Sequence, residues 1–568
     1  MRPVALAAWL TGAAALLAGC GGEGSGAAGA AAQTTTTAAT ATTATAPGRA
    51  RSITVGTALA AQQILHRSLE DTPKSLDPQL ADDVPSMRVL VDLFEGLVRF
   101  GPDATPRPGV ASSWQITPDG LTWTFHLRDN ARWSNGAPVT AADFVYGWRR
   151  ETDPKTGAEY AEAFTPFVNG DAIINGRKPP DTLGVEALDA HTLQIHLVHP
   201  TPYLLGELAQ SFMSPAYPPA IRQYGDAWIQ PGHMVSNGAF ALKENVLGNR
   251  ITLDRNLYYW DATDVHLTRV VYYIIDDPAQ VALRYLAGDV QLTDIFSQAQ
   301  YPYLESRLGD QVVAPQEFAT YMLSTNFKLP PFQHNRALRL ALTMSVDRAA
   351  LTRYLLYGVN QPAYTLMPDL PGYPQPVPAW TKLDKDQRDA MALRLYHQAG
   401  YSSRHPLHAD IEISTQGPAV THFFEAIVDT WNSVLGADIG VHEEEFKVLL
   451  QDRQLQKLQL FYNGWSGDYL DPYTYLQCFY STNQFNSGAY SNPRYDALID
   501  QATNEADPTR RYQLFAQAEQ LLNDDVAYIP LYYYSDRYLI KPYVKGWKAN
   551  LMDVIPSRYL YILQHQGN

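Results

Sequence analysis

Between Leu121 and Arg128 apolar residues alternate with polar ones. Leu121, Trp123, Phe125 and Leu127 fall on one face, which predicts a half-buried strand. Trp133-Ser-Asn-Gly-Ala-Pro138 has turn chemistry. Thr140-Ala-Ala-Asp143 then has the spacing of a capping box, with Val139 as its staple, and opens a helix through Arg150. Ile251 to Asp254 reads as another strand. Arg336 to Leu342 is helical, and Val346-Asp347-Arg348 recaps a second helix to Tyr357. Arg510 to Asn523 has the helical period, with Leu514, Phe515, Ala518, Leu521 and Leu522 on the core side. Val526 to Tyr534 predicts a strand too rich in tyrosine to be fully exposed. Strands and helices alternate from Ile53 onward with no internal repeat, which predicts α/β lobes rather than a barrel or a propeller.

The first fifty residues follow a different pattern. Val4 to Ala18 is an apolar run, too short for a permanent transmembrane helix and suited to a signal-peptide core. It ends in Leu17-Ala18-Gly19-Cys20, which resembles a bacterial lipobox with Cys20 as the lipidated residue. The alternative is an ordinary signal peptide that contains a cysteine. Gly21 to Ala50 is almost all Gly, Ala and Thr, has no period, and reads as a flexible tether. Anchor and tether together predict a protein held at a membrane surface in an extracytoplasmic space.

Composition narrows the class. A chain of 568 residues exceeds one ordinary core, so two or three lobes are expected. The formal net charge is −15 and no Lys/Arg run occurs, which argues against a nucleic-acid partner. Only Cys20 and Cys478 are present, too few for a disulfide framework or a thiolate metal cluster. Cys478 reads as a buried small hydrophobe.

Catalytic and metal motifs are missing where they would be recognised. There is no Gly-x-x-x-x-Gly-Lys-Ser/Thr phosphate loop and no His-Glu-x-x-His pair. His442-Glu-Glu-Glu445 lacks a second histidine and reads as a solvated strand end. His191, His196 and His199 do not converge on a strand, because His196 points to the opposite face. Gly464-Trp-Ser-Gly467 is not a Gly-x-Ser-x-Gly elbow. Asp82-Asp83 and Asp524-Asp525 read as solvated neighbours. Neither a cofactor nor a metal is expected, and a binding protein is favoured over an enzyme.

Several segments together resemble the family-5 peptide/nickel group of solute-binding proteins of bacterial ABC importers. They include Ser75-Leu-Asp-Pro78, Asp92-Leu-Phe-Glu-Gly-Leu97, and Trp123 to Gly136. Further on come Pro138 to Trp148, Arg255-Asn-Leu-Tyr-Tyr-Trp260, Arg284 to Val290, and Gly464-Trp-Ser-Gly-Asp-Tyr469. Their order and spacing hold from about Ile53 to Ile562, and Tyr532-Tyr-Tyr534 followed by Lys541-Pro542 is similar to the oligopeptide-binding branch. The resemblance implies an α/β, two-lobed fold of the periplasmic-binding-protein type II kind, in its large cluster C form with an extra inserted domain. Lobe I would comprise 51–94, 219–319 and 536–568, the inserted domain II 95–218, and lobe III 320–535, with hinge closure over the ligand.

The resemblance also implies site residues. Asp468 matches the aspartate that pairs with a peptide's ammonium. The main chain of Gly464, Trp465 and Ser466, and that of Asp82, Asp83 and Val84 from the opposite lobe, would pair with the peptide as an added strand. Tyr160 matches a peptide-contacting tyrosine. Tyr462 stands where the branch can carry a carboxylate-binding arginine, so it offers one hydrogen bond and no charge. The implied function is a non-catalytic, lipid-anchored, monomeric receptor in the periplasm or cell envelope, which hands peptides to an inner-membrane permease driven by separate ATPase subunits. Two alternatives stand beside it. One keeps the fold and changes the cargo to murein peptide, modified peptide, haem or a nickel chelate; the other is a secreted carbohydrate-active hydrolase, which the tryptophans, tyrosines and carboxylates would also suit.

Overall fold

The computed structural model describes residues 53–415 and 418–566, so the expectations for Cys20 and the tether lie outside the described residues. The apolar alternation at 121–128 forms the strand Thr122–Leu127, with Trp123, Phe125 and Leu127 buried. It lies between Ala111–Ile116 and Thr192–His196 in a four-stranded antiparallel sheet. The capping box is formed: the Asp143 carboxylate accepts from the backbone N–H of Thr140 at 2.8 Å and from its hydroxyl at 3.0 Å. That helix runs Ala141–Thr152, two residues beyond expectation.

A second four-stranded sheet sets Ile64–Leu69 parallel to Arg269–Ile274, followed by Arg250–Arg255 and Phe240–Val246. One continuous hydrophobic core joins both sheets, from Leu65 through Trp148 to Leu292, and takes in Tyr538 to Ile562 near the C-terminus. Polar contacts reinforce the join. Arg150 grips Asp77 through two hydrogen bonds of 2.8 and 2.6 Å, and Trp228 Nε1 donates to the same carboxylate at 3.0 Å.

The rest of the chain builds a second body around a six-stranded sheet with Gln316–Thr325 and Leu460–Ser466 at its centre. His408–Ser414 and Asp438–Glu444 run parallel and in register, joined by a long helix that buries Phe423, Phe424, Ile427 and Trp431. Two cores flank this sheet, one under Trp431 and one under Phe515. The helix Pro508–Asp525 buries Leu514, Phe515, Ala518 and Leu522 as its period predicts. Val526 departs from expectation. It adopts a left-handed conformation (φ 53°) that ends the helix, and the strand begins only at Tyr528. The helix expected to reach Tyr357 runs Arg348–Tyr354, because its end closes through Leu355 and Gly358 N–H groups and Tyr357 turns left-handed at φ 55°.

The chain passes between the bodies at the start of Gln316–Thr325 and the end of Tyr528–Ser535, where the Asp536 N–H donates to Pro315 O at 3.1 Å. Buried Arg88 sits beside this crossing. Its guanidinium lies 3.4 Å from Glu70, 3.3 Å from Asp294, 3.4 Å from Asp536 and 2.7 Å from Asp553. Burial, with Asp536 nearby, holds Asp553 up at about 7, and burial with Asp294 nearby pushes Glu70 well above the usual range.

Arg88→Met is expected to cost about 3–5 kcal/mol of stability at neutral pH, because it strands buried carboxylates without their cation. Acids whose native pKa lies above their unfolded value take up protons on folding, so stability rises as pH falls through that window. The deficit is therefore expected to narrow between about pH 7 and about pH 5, and urea unfolding at the two pH values checks it.

Candidate functional site

A cavity of about 380 Å³ opens between the two bodies. Asp82, Val84 and Tyr160 line it from the first body. Tyr462, Gly464, Trp465, Ser466 and Asp468 line it from the second. These residues are far apart in sequence, and strand pairing brings the second group into place. The strand Leu460–Ser466 is paired along its length with Gln316–Thr325, in the register Thr320↔Trp465 and Tyr321↔Gly464. On its other side the ladder among the described residues reaches only Glu412↔Phe461, so the edge beyond Phe461 has no strand neighbour. Gly464 is required by close packing: a Cβ there would come 2.7 Å from Tyr321 Cδ1.

Asp468 follows this edge and is exposed to the cleft as a residue. Desolvation nevertheless raises the pKa of its carboxyl to about 6 against the opposing pull of the Thr474 hydroxyl, which donates to Oδ2 at 3.2 Å. Tyr160 stacks on Phe212 with ring centroids 4.6 Å apart. Its phenol is pushed up to about 12 by burial and then by Asp468, Asp82 and Asp83.

Three charged groups that the sequence reading missed belong to the same region. Arg453, in the last turn of the helix Phe446–Gln454, lines the cavity. It donates to Asn463 Oδ1 and has no carboxylate within 4.0 Å among the described residues, and burial lowers it to about 10. Glu207 is 9% exposed, its Oε2 has no hydrogen-bond partner among the described residues, and burial and then Asp468 push it well above the carboxylate range. Glu317 lines the cavity near the crossing and is raised by burial and then by Asp536. No spacing rule marks any of these, because each acquires its setting from chain remote in sequence.

Several expectations are corrected. Asp83 is not a solvated neighbour of Asp82 but a helix cap, accepting from the Ser86 N–H at 2.9 Å, while Asp82 pairs with Lys74 at 3.1 Å. Asp525 likewise accepts from the Tyr490 hydroxyl at 2.8 Å. The Tyr462 hydroxyl is already bonded to that of Tyr532 at 2.9 Å, and its ring lies between Tyr321 and Phe424, so it contributes a wall rather than a free donor. Cys478 is half-buried at the cavity wall, with Sγ 3.6 Å from Thr474 O. One expectation holds: His191, His196 and His199 do not converge, and go to three separate partners, Asp129, Thr122 and Pro200.

Among the described residues, two side-chain groups have metal-ligand spacing. In Glu412, His442 and Glu444 the histidine pairs with Glu412 at 2.6 Å on an open strand edge. In Glu317, Asp536 and Asp553 the Arg88 guanidinium already supplies the counter-charge.

A model of bacterial extracellular solute-binding proteins, family 5, matches residues 105–487. This chain belongs to that family. Its relatives include the periplasmic murein peptide-binding protein MppA of Escherichia coli, 36% identical over 91% of this chain and 96% of that protein. The periplasmic oligopeptide-binding protein OppA of Salmonella typhimurium is 35% identical over 91% of this chain and 95% of that protein. Among solved structures, the unliganded open form of MppA aligns with TM-score 0.83 and 35% identity, covering 90% of this chain and 99% of that one. The fold is accordingly the type II binding-protein fold, and this family-5 protein is a solute receptor, not an enzyme.

The Asp468 carboxyl is expected to take up its proton near pH 6, about two units above an ordinary aspartate. Carboxyl-carbon NMR titration of the protein against Asp468→Asn reads this midpoint directly. A midpoint in the ordinary range would mean that the cleft leaves the group fully hydrated.

Proposed function

We propose that this protein is an extracytoplasmic receptor for short peptides, which it delivers to an ABC import permease with separate ATPase subunits. The observation that carries the reading is the placement of Asp468 at the end of an unpaired strand edge inside the inter-body cavity. A peptide's backbone can add to that edge as a strand, while its ammonium, with three donors, meets an acceptor-only carboxylate. Gly464, Trp465 and Ser466 supply main chain on one side, and Asp82 to Val84 supply it on the other. Tyr160 and Tyr462 form walls. In this reading the lobes are bounded as the family resemblance implies: 51–94 with 219–319 and 536–568, then 95–218, then 320–535. They close as a hinge around a monomeric binding unit.

A carboxylate on the ligand is met by Arg453, a cation that faces the cavity without an acidic partner among the described residues. That observation also supports a second reading, a murein peptide as cargo. Such a ligand carries carboxylates beyond its own terminus, and the similar Escherichia coli protein is named for binding murein peptide.

Calorimetric titration with Ala-Glu-Ala and its N-acetyl form tests the first reading. Stranding one partner of a buried charged pair costs about 2–5 kcal/mol, so Asp468→Asn is expected to weaken binding of the free peptide about thirtyfold or more. Acetylation should cost the unmutated protein a similar amount and the Asn variant little more, because both changes remove one interaction. Additive losses would show that the amine is held elsewhere. In the same experiment, Arg453→Met should weaken Ala-Glu-Ala more than Ala-Gln-Ala if the arginine meets an acidic side chain.

We further propose that Cys20 carries the lipid and that the receptor works at a membrane surface of the cell envelope. The motif Leu17-Ala18-Gly19-Cys20 and the Gly/Ala/Thr tether support this. Several acyl chains on one cysteine bind a bilayer firmly where one binds marginally. Cys20→Ser is expected to accumulate as unprocessed precursor or to be released as soluble protein. Membrane fractionation that finds the variant processed and bound as before would refute the anchor.

A further inference from the structure

Asp468 lies in a bend, 468–472, just before the short helix Tyr473–Leu476, and the bend is held from two sides. From its own body, Arg511 Nη2 bonds Asp471 Oδ1 at 2.8 Å in a buried ion pair. Thr474 Oγ1 sits 3.2 Å from both the backbone nitrogen and Oδ2 of Asp468. The other clamp comes from the opposite body. Gln210 Nε2 donates to the Asp468 carbonyl at 2.9 Å. The Tyr203 ring stacks on Tyr469 with centroids 4.4 Å apart and planes within 3°, and it also reaches Tyr473 at 5.6 Å. Gly206, between them in sequence, approaches so closely that a Cβ there would lie 3.1 Å from Tyr469 Cβ. Neither Tyr203 nor Gln210 lines the cavity in which Asp468 stands.

We propose that Tyr203 and Gln210 are positioning residues for the amine-binding carboxylate, and so determine how strongly the receptor prefers a free amino terminus. The proposal rests on the reading of Asp468 given above. The bend that carries Asp468 lies between the strand Leu460–Ser466 and the short helix Tyr473–Leu476 and belongs to neither. One hydrogen bond to the Asp468 carbonyl and one stacked ring on the next residue remove the torsional freedom that would swing the carboxylate away from the strand edge. Asp468 remains open to the cleft while these contacts are made, so part of the ordering of the amine site precedes ligand entry and need not be supplied at the moment of binding. The contact also crosses from one body to the other.

The test uses the full-length protein with Ala-Glu-Ala and N-acetyl-Ala-Glu-Ala. Tyr203→Ala and Gln210→Ala are each expected to lower the ratio of free to acetylated affinity about three- to tenfold, the scale of one stacked pair or one hydrogen bond. Binding of the acetylated peptide should change by less than about twofold, since it does not use the carboxylate. Tyr203→Phe keeps the ring and should restore most of the ratio lost in Tyr203→Ala. If the alanine variants weaken both peptides in parallel and leave the ratio intact, the contact serves closure in general; the proposal is then wrong while the role of Asp468 stands. If the unmutated protein does not distinguish the two peptides, the role of Asp468 fails and the proposal falls with it.

Discussion

One guanidinium organises the junction from which the cleft is built. Arg88 meets Glu70, Asp294, Asp536 and Asp553, four carboxylates from four separate stretches of chain. Each acid is costly to bury alone, and the shared cation makes them affordable only when all four stretches have arrived. The network therefore specifies an arrangement more than it adds stability. It fixes the helix Val84–Leu93, whose first turn carries Val84 into the cavity wall, and it fixes Asp536 where the chain crosses between bodies. Tyr538 closes the set, its hydroxyl lying 3.2 Å from Arg88 Nη1.

Beyond that junction the cavity keeps charges of both signs incompletely matched. Asp468 is held above the usual aspartate range and Arg453 below the usual arginine range, each chiefly by loss of water. A ligand carrying the opposite pair of charges returns to each what burial removed, which is how a cleft can prefer a zwitterion without reading its side chains closely. In the sheet beside the cavity the Tyr321 ring stacks on Tyr462 and Tyr532 at 5.5 and 5.1 Å, and the Tyr462 and Tyr532 hydroxyls bond each other.

Local rules made much of this legible from sequence. Alternation marked the strand under Trp123, and the Thr140/Asp143 spacing marked a helix start that the hydrogen bonds bear out. The family segments marked the fold class and the Gly464–Asp468 stretch. What stayed hidden was partly local and partly decided at a distance. Asp83 was readable locally, since an aspartate just before Pro85 is a helix-start pattern, and the reading as a solvated acid overlooked it. Val526 continued an apolar run, yet the need to end a helix turned it left-handed. Arg453, Glu207 and Tyr203 carry no motif, and each matters through partners brought by folding from another part of the chain.

The two ends of the described chain lie side by side: Thr54–Leu59 pairs with Tyr561–Gln566, and Gln63 bonds the Ile562 carbonyl across 499 positions. This has a consequence for biogenesis. The second body, from Gln316 to Ser535, holds its six-stranded sheet within one uninterrupted run and can collapse as soon as that run is complete. The first body cannot, because its core waits for Tyr538 to Ile562. The opening strand Thr54–Leu59 therefore stays unpaired until Tyr561–Gln566 has been made. Contacts this distant in sequence form slowly. The second body therefore has its own sheet in place while the first still lacks the partner of its opening strand.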